Sequence, residues 1–205
     1  IDDAISSALA RGLDQLVLLG AGFDARAHRL PGIDRARVFE VDHPATQRMK
    51  RRVVGAAPAH VTYVPVHLER DALPDALARA GFRMGLRTLL VWEGVTNYLD
   101  ERTVDATLRF AARAAPMLLF TYVDRAVIDG RVEFTGGPES IDYVQKLGEP
   151  FTFGFDPAKL GRYLCERGLE LEHDLPLSDV ARRYYPEAGP PVSAYYHVVL
   201  ARCRG

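Results

Sequence analysis

The sequence predicts an α/β fold: a doubly wound, mostly parallel sheet that ends in an antiparallel hairpin. Short apolar runs without interruption recur along the first 123 residues, the pattern of strands buried on both faces. Segments with helical spacing separate them, at lengths suited to right-handed crossovers. After residue 123 the alternation stops, and two further strand patterns follow without a crossover helix, so they should pair antiparallel.

The elements justify this in order. Residues 2–12 place Ala4, Ile5, Ala8 and Leu9 at helical spacing, with Gly12 as the stop. Leu16 to Leu19 form the first strand, bounded by Gly20. RVFEVD (37–42), HVTYVPV (60–66), RTLLVWEG (87–94) and MLLFTYV (117–123) follow as strands, and Trp92 is expected in the core of the fourth. Helices are expected near 24–29, 44–54, 72–80 and 101–115, the last capped by Asp100 and closed before Pro116. A stretch rich in Gly and Pro (129–155) leads to a helix at 157–167. Then come LELEHD (169–174), a long loop and SAYYHVVLARC (193–203) as the hairpin strands.

The 205 residues are 48% hydrophobic and carry 26 Lys+Arg against 27 Asp+Glu. A chain of this size buries about 70% of its unfolded surface, enough for one domain spanning 1–205 without covalent staples. A net charge of -1 gives no electrostatic footprint for nucleic acid or an anionic membrane. Two separated cysteines, Cys165 and Cys203, offer no metal-ligand spacing, and no run is long and apolar enough to span a bilayer, so a cytoplasmic protein is expected.

The chemistry concentrates where the first strand enters Gly20-Ala21-Gly22-Phe23-Asp24-Ala25. Glycines there let the backbone turn tightly and approach a ligand. Glu40 and Asp42 close the second strand, and Asp42 is placed to accept the ribose hydroxyls of an adenosine-containing cofactor. Gly20-x-Gly22-x-x-Ala25 also satisfies a relaxed dinucleotide fingerprint. Asp24 argues against that reading, because a carboxylate in the turn would repel a pyrophosphate by about 1 to 4 kcal/mol. S-adenosylmethionine has no phosphate and carries cationic groups, so Asp24 suits it. The plain alternative is that the glycines serve the strand-to-helix joint and Asp24 starts the helix.

QLVLLGAGFDARAHRL (15–30), RVFEVDHP (37–44) and LLVWEGVTNYL (89–99) together resemble the leucine carboxyl methyltransferase superfamily, most closely its bacterial branch. The resemblance implies a class I, Rossmann-like fold with a seven-stranded sheet. It implies S-adenosylmethionine as cofactor, with S-adenosylhomocysteine as product. By similarity the Gly20 turn passes beneath the methionine part, Asp42 holds the ribose and Glu93 lies beside the cofactor. His67-Leu68 stand where the family has Asp-Leu at the adenine, so weaker or pH-sensitive binding is expected. Relatives carry a further N-terminal helical segment, whose arginine pairs with the cofactor carboxylate, and it is not part of this sequence. Arg26 is an alternative clamp, though a surface role is the favoured reading.

The expected reaction is methyl transfer to a carboxyl or hydroxyl oxygen of a small molecule or peptide. A carboxylate acceptor needs no base, and for a hydroxyl the candidates are Glu93, His67 and Tyr98. Tyr98 is read first as a packing residue under the next helix. The aromatic residues of FTFGF (151–155) and the pairs Tyr184-Tyr185 and Tyr195-Tyr196 are candidates for an acceptor pocket, with ordinary strand burial as the simpler account. The alternatives are a binding module without catalysis and an NAD-dependent reductase. The latter has only Tyr143-Val144-Gln145-Lys146 as a YxxxK-like candidate, off by one in spacing.

Overall fold

A computed structural model describes residues 1–131, 137–146, 148–187 and 192–204. Parts of the predicted loops, residues 132–136, 147 and 188–191, lie outside it. The strands are β1 (Gln15–Leu19), β2 (Arg37–Asp42), β3 (Val61–Pro65), β4 (Thr88–Trp92), β5 (Met117–Val123), β6 (Leu169–Pro176) and β7 (Tyr196–Cys203). They form one seven-stranded sheet of order β3-β2-β1-β4-β5-β7-β6. The first five pair in parallel, and β7 runs antiparallel to both β5 and β6.

Alternate side chains of each central strand serve opposite faces, as the pleat demands. Leu16, Leu18, Val38, Leu89, Val91 and Leu119 pack with α1 (Asp2–Ala10) and α2 (Arg26–Arg29). Val17, Leu19, Phe39, Val41, Leu90 and Phe120 pack on the other face with α4 (Leu73–Arg79), α5 (Glu101–Ala114) and α8 (Pro157–Cys165). Trp92 is fully buried in that second core, as its strand position predicts. Asp100 caps α5 by accepting the Thr103 N–H at 2.7 Å.

Three expectations need correction. The helix expected at 24–29 is a single turn, α2, because Asp24 is spent on the turn that precedes it. The stretch 129–155, expected without a helix, holds one, α7 (Gly137–Lys146), and α6 (Arg125–Ile128) precedes it. The long loop after β6 contains α9 (Leu177–Tyr184), none of whose residues is buried. The hairpin strands pair antiparallel as expected, with β7 inside the sheet and β6 at its edge. A polar clasp spans this insertion: the Tyr122 hydroxyl donates to Asp174 at 2.8 Å, and His197 Nδ1 lies 2.7 Å from the same carboxylate. Among the described residues no helix is long and apolar enough to cross a membrane.

The sheet register positions the site. Leu19 lies beside Val41, Leu18 beside Val91, and Asp42 beside Pro65. The carboxyl ends of β1, β2, β3 and β4 therefore bring Gly20, Asp42, His67 and Glu93 to one edge, where open α/β sheets hold ligands.

Candidate active site

Between β1 and α2 the chain makes the turn that its glycines permit. Gly20 and Gly22 adopt φ of +65° and +47°, and a Cβ on Gly20 would collide with Val95. The Ala21 N–H donates to the Val41 carbonyl at 3.0 Å, which fastens the turn to the end of β2. Asp42 holds it at a second point by accepting from the Gly22 N–H, while its other oxygen accepts from the His43 N–H at 2.5 Å. α3 (Pro44–Val54) starts there, with His43 Nδ1 accepting the Ala45 N–H.

A third hold centres on a residue outside those singled out from the sequence. Lys50 of α3 is 2% exposed and donates to the Asp24 carbonyl at 2.7 Å and to the Glu40 carboxylate at 2.6 Å. Burial pushes the Glu40 carboxyl above its usual range, against the opposing pull of the Lys50 ammonium. The available signal was Gln47 and Lys50 standing at positions where α3 should present an apolar stripe.

Two hollows meet at Gly20. A cleft of about 820 Å³ is lined by Gly20, Gly22, Asp42, His67, Leu68 and Tyr98, among others. A trough of about 300 Å³ is lined by Gly20, Ala21, Asp24, Arg26 and Glu93. Every cofactor-site candidate taken from the sequence thus lines one or the other. His67 meets His43 edge to face, with ring centres 4.3 Å apart. Tyr98 is 38% exposed and tilts against Phe151, so it lines the cleft and does not pack under the next helix.

Arg26 is not a surface residue. Its guanidinium pairs with Asp2 at 2.7 Å, Asp24 at 2.8 Å and Glu93 at 2.6 Å, and its side chain is 15% exposed. Burial works against its charge, but the hydrogen bonds it donates to Asp2 and Glu93 prevail and raise its pKa further. Asp24 also accepts the Arg26 N–H at 2.7 Å. Its carboxylate is therefore neutralised locally, which weakens the case that it repels phosphate. The aromatic candidates divide: Phe153, Phe155 and Tyr195 are buried, Tyr185 is exposed, and Tyr184 and Tyr196 line a separate hollow.

The fold and the glycine turn with its strand-end carboxylate define the class of nucleotide-type α/β domains, and comparison with known proteins narrows it. The leucine carboxyl methyltransferase profile matches residues 1–112, and the chain belongs to that family. A Streptomyces coelicolor protein that carries the provisional name of S-adenosyl-L-methionine-dependent methyltransferase is 40% identical over 111 residues, covering 53% of this chain and 39% of its own length. A similarly named Mycobacterium avium protein is 29% identical over 215 residues, covering 90% of this chain and 68% of its own length. The chain thus matches under half of the first relative. Among solved structures, an S-adenosylmethionine-dependent methyltransferase from Mesorhizobium loti shares the fold with a TM-score of 0.64 at 16% identity, over 98% of this chain and 96% of that one.

Proposed function

We propose that this chain is the S-adenosylmethionine-binding domain of a methyltransferase that acts on an oxygen of a small-molecule or peptide acceptor. The observation that carries the reading is Asp42. It stands at the mouth of the cleft with each oxygen holding one backbone N–H, and the remaining lone pairs can accept a ribose diol. Leu68 supplies an apolar wall for adenine and His67 a polar edge. Gly20, Ala21 and Gly22 pass beneath the cofactor, and Asp24, Arg26 and Glu93 meet its amino-acid end. A cleft of about 820 Å³ lies within the usual range for cofactor sites, about 300 to 1,000 Å³.

When bound, the cofactor supplies an electrophilic methyl group on a sulfonium. The chain's part is to hold the adenosine between β2 and the cleft wall, fix the amino-acid end in the trough and keep the intervening space dry, because in-line transfer depends on orientation. A dinucleotide suits the site less well. α2 has only four residues, so little helix dipole faces the turn to receive a pyrophosphate.

Thermal-shift and calorimetric titrations with S-adenosylhomocysteine and NADH test the reading. The expected result is a saturable shift with S-adenosylhomocysteine alone, and NADH binding in its place would refute it. Labelled S-adenosylmethionine with candidate acceptors then separates an enzyme from a binding module, which binds without turnover.

A further inference from the structure

We propose that a second chamber, between α1, α9 and the ends of β5 and β7, is the acceptor site, and that it takes an uncharged aromatic hydroxyl compound in preference to a carboxylate. This rests on the methyltransferase reading above. The chamber has a volume of about 370 Å³. It joins the cofactor path at the turn after β4. Glu93 and Arg26 line both the trough and the chamber. One residue on, Gly94 lines the cleft, and a Cβ there would lie 3.9 Å from the Tyr196 hydroxyl. An acceptor in the chamber therefore meets the cofactor path across Glu93 and Gly94.

One side of the chamber is mostly apolar and partly aromatic, and the other carries Asp2, Asp3, Arg26 and Glu93. α9 contributes Leu177, Val180 and Tyr184, and the sheet contributes Val198 and Tyr196 on β7 with Thr121 on β5. Such a slot between a helix and a sheet favours a flat apolar body. Burial pushes the Tyr196 hydroxyl above its ordinary pKa, against the hydrogen bond it shares with Thr121. It stays protonated and can orient an oxygen.

Charge decides between hydroxyl and carboxylate. Asp2, Asp24 and Glu93 share Arg26, Arg29 pairs with Asp2, and Asp3 accepts from Tyr184. Three carboxylates thus contact two guanidinium groups, and Asp3 adds a fourth negative charge beside Tyr184. A carboxylate acceptor would enter an excess of negative charge in a half-buried setting, whereas a phenol would not. In transfer to a phenol, an oxygen lone pair forms the new bond to the methyl carbon. The carbon–sulfur bond breaks toward sulfur and leaves a neutral thioether, and the phenolic proton passes to Glu93.

The test is calorimetry on the 205-residue chain saturated with S-adenosylhomocysteine, using 2-naphthol and 2-naphthoate as shape-matched probes. Naphthol should bind at least tenfold more tightly than naphthoate, and Asp3→Asn should narrow that gap. Val180→Trp and Val198→Trp, which fill the chamber from opposite walls, should each weaken naphthol at least tenfold while S-adenosylhomocysteine affinity stays within twofold. Two variants on different elements guard against one that fails to fold. Equal or tighter binding of naphthoate, or naphthol affinity that neither tryptophan reduces, overturns the proposal while the cofactor reading stands. Failure of S-adenosylhomocysteine itself to bind overturns the methyltransferase reading, and the acceptor assignment falls with it.

Discussion

Asp42 does two things at once: it presents acceptor lone pairs to the cleft and ties the Gly22 amide to β2. Asp42→Ala should therefore weaken S-adenosylhomocysteine binding at least tenfold by calorimetry. A lost acceptor to a buried diol costs about 1 to 3 kcal/mol before any loosening of the turn. Its position was readable, because a carboxylate at the end of the second strand has one geometric consequence whatever the loops do. Arg26 was not readable. Its partners lie as near as Asp24 and as far as Glu93, 67 positions away, and only the parallel pairing of β1 with β4 brings that pair together. Removing the shared cation by Arg26→Met leaves Asp24 and Glu93 without this guanidinium and Asp2 with Arg29. The variant should unfold at a lower temperature than the parent in a calorimetric scan, and restore part of the loss in high salt.

The strands and the long crossover helices follow from local patterns, since each buries a stripe or a face. α9 does carry a stripe, with Leu177, Val180, Ala181 and Tyr184 at helical spacing, but it is short, none of it is buried, and Pro and Gly residues follow it closely, so the stretch reads as loop. The buried partner of β2 is equally hidden, because a lysine in an arginine-rich helix looks like a solvated face. Lys50→Met should destabilise the domain by about 3 to 5 kcal/mol, the usual cost of stranding one member of a buried ion pair. Urea unfolding would measure it. The double variant Lys50→Met with Glu40→Leu should recover most of that loss. S-adenosylhomocysteine affinity should stay low in both, because the Asp24 carbonyl has lost its donor.

Across the whole molecule, ion pairs fix how stability responds to acid. Burial favours the neutral form of Asp2, yet hydrogen bonds from Arg26 and Arg29 outweigh it and hold the group below the usual carboxylate range. Asp105 is likewise lowered, with burial opposed by Arg109 and Arg167. A carboxyl whose folded pKa is depressed gives its full contribution above the unfolded value, about 3.9, and loses it as pH falls through the folded value. Glu40, raised by burial, acts in the opposite sense at higher pH. The melting temperature should therefore drop as pH falls below about 4. Asp105→Asn should make that acid limb shallower in melts recorded across the same range.

β7 lies between β5 and β6 although it comes later in the chain than either. On the ribosome, β6 emerges before the strand that will flank it, and β5 waits with one side unpaired. Neither the Tyr122–Asp174–His197 clasp nor the chamber wall at Tyr196 can exist until β7 has been translated. The nascent chain must therefore shield two open strand edges, or be shielded by a chaperone, until β7 has been made.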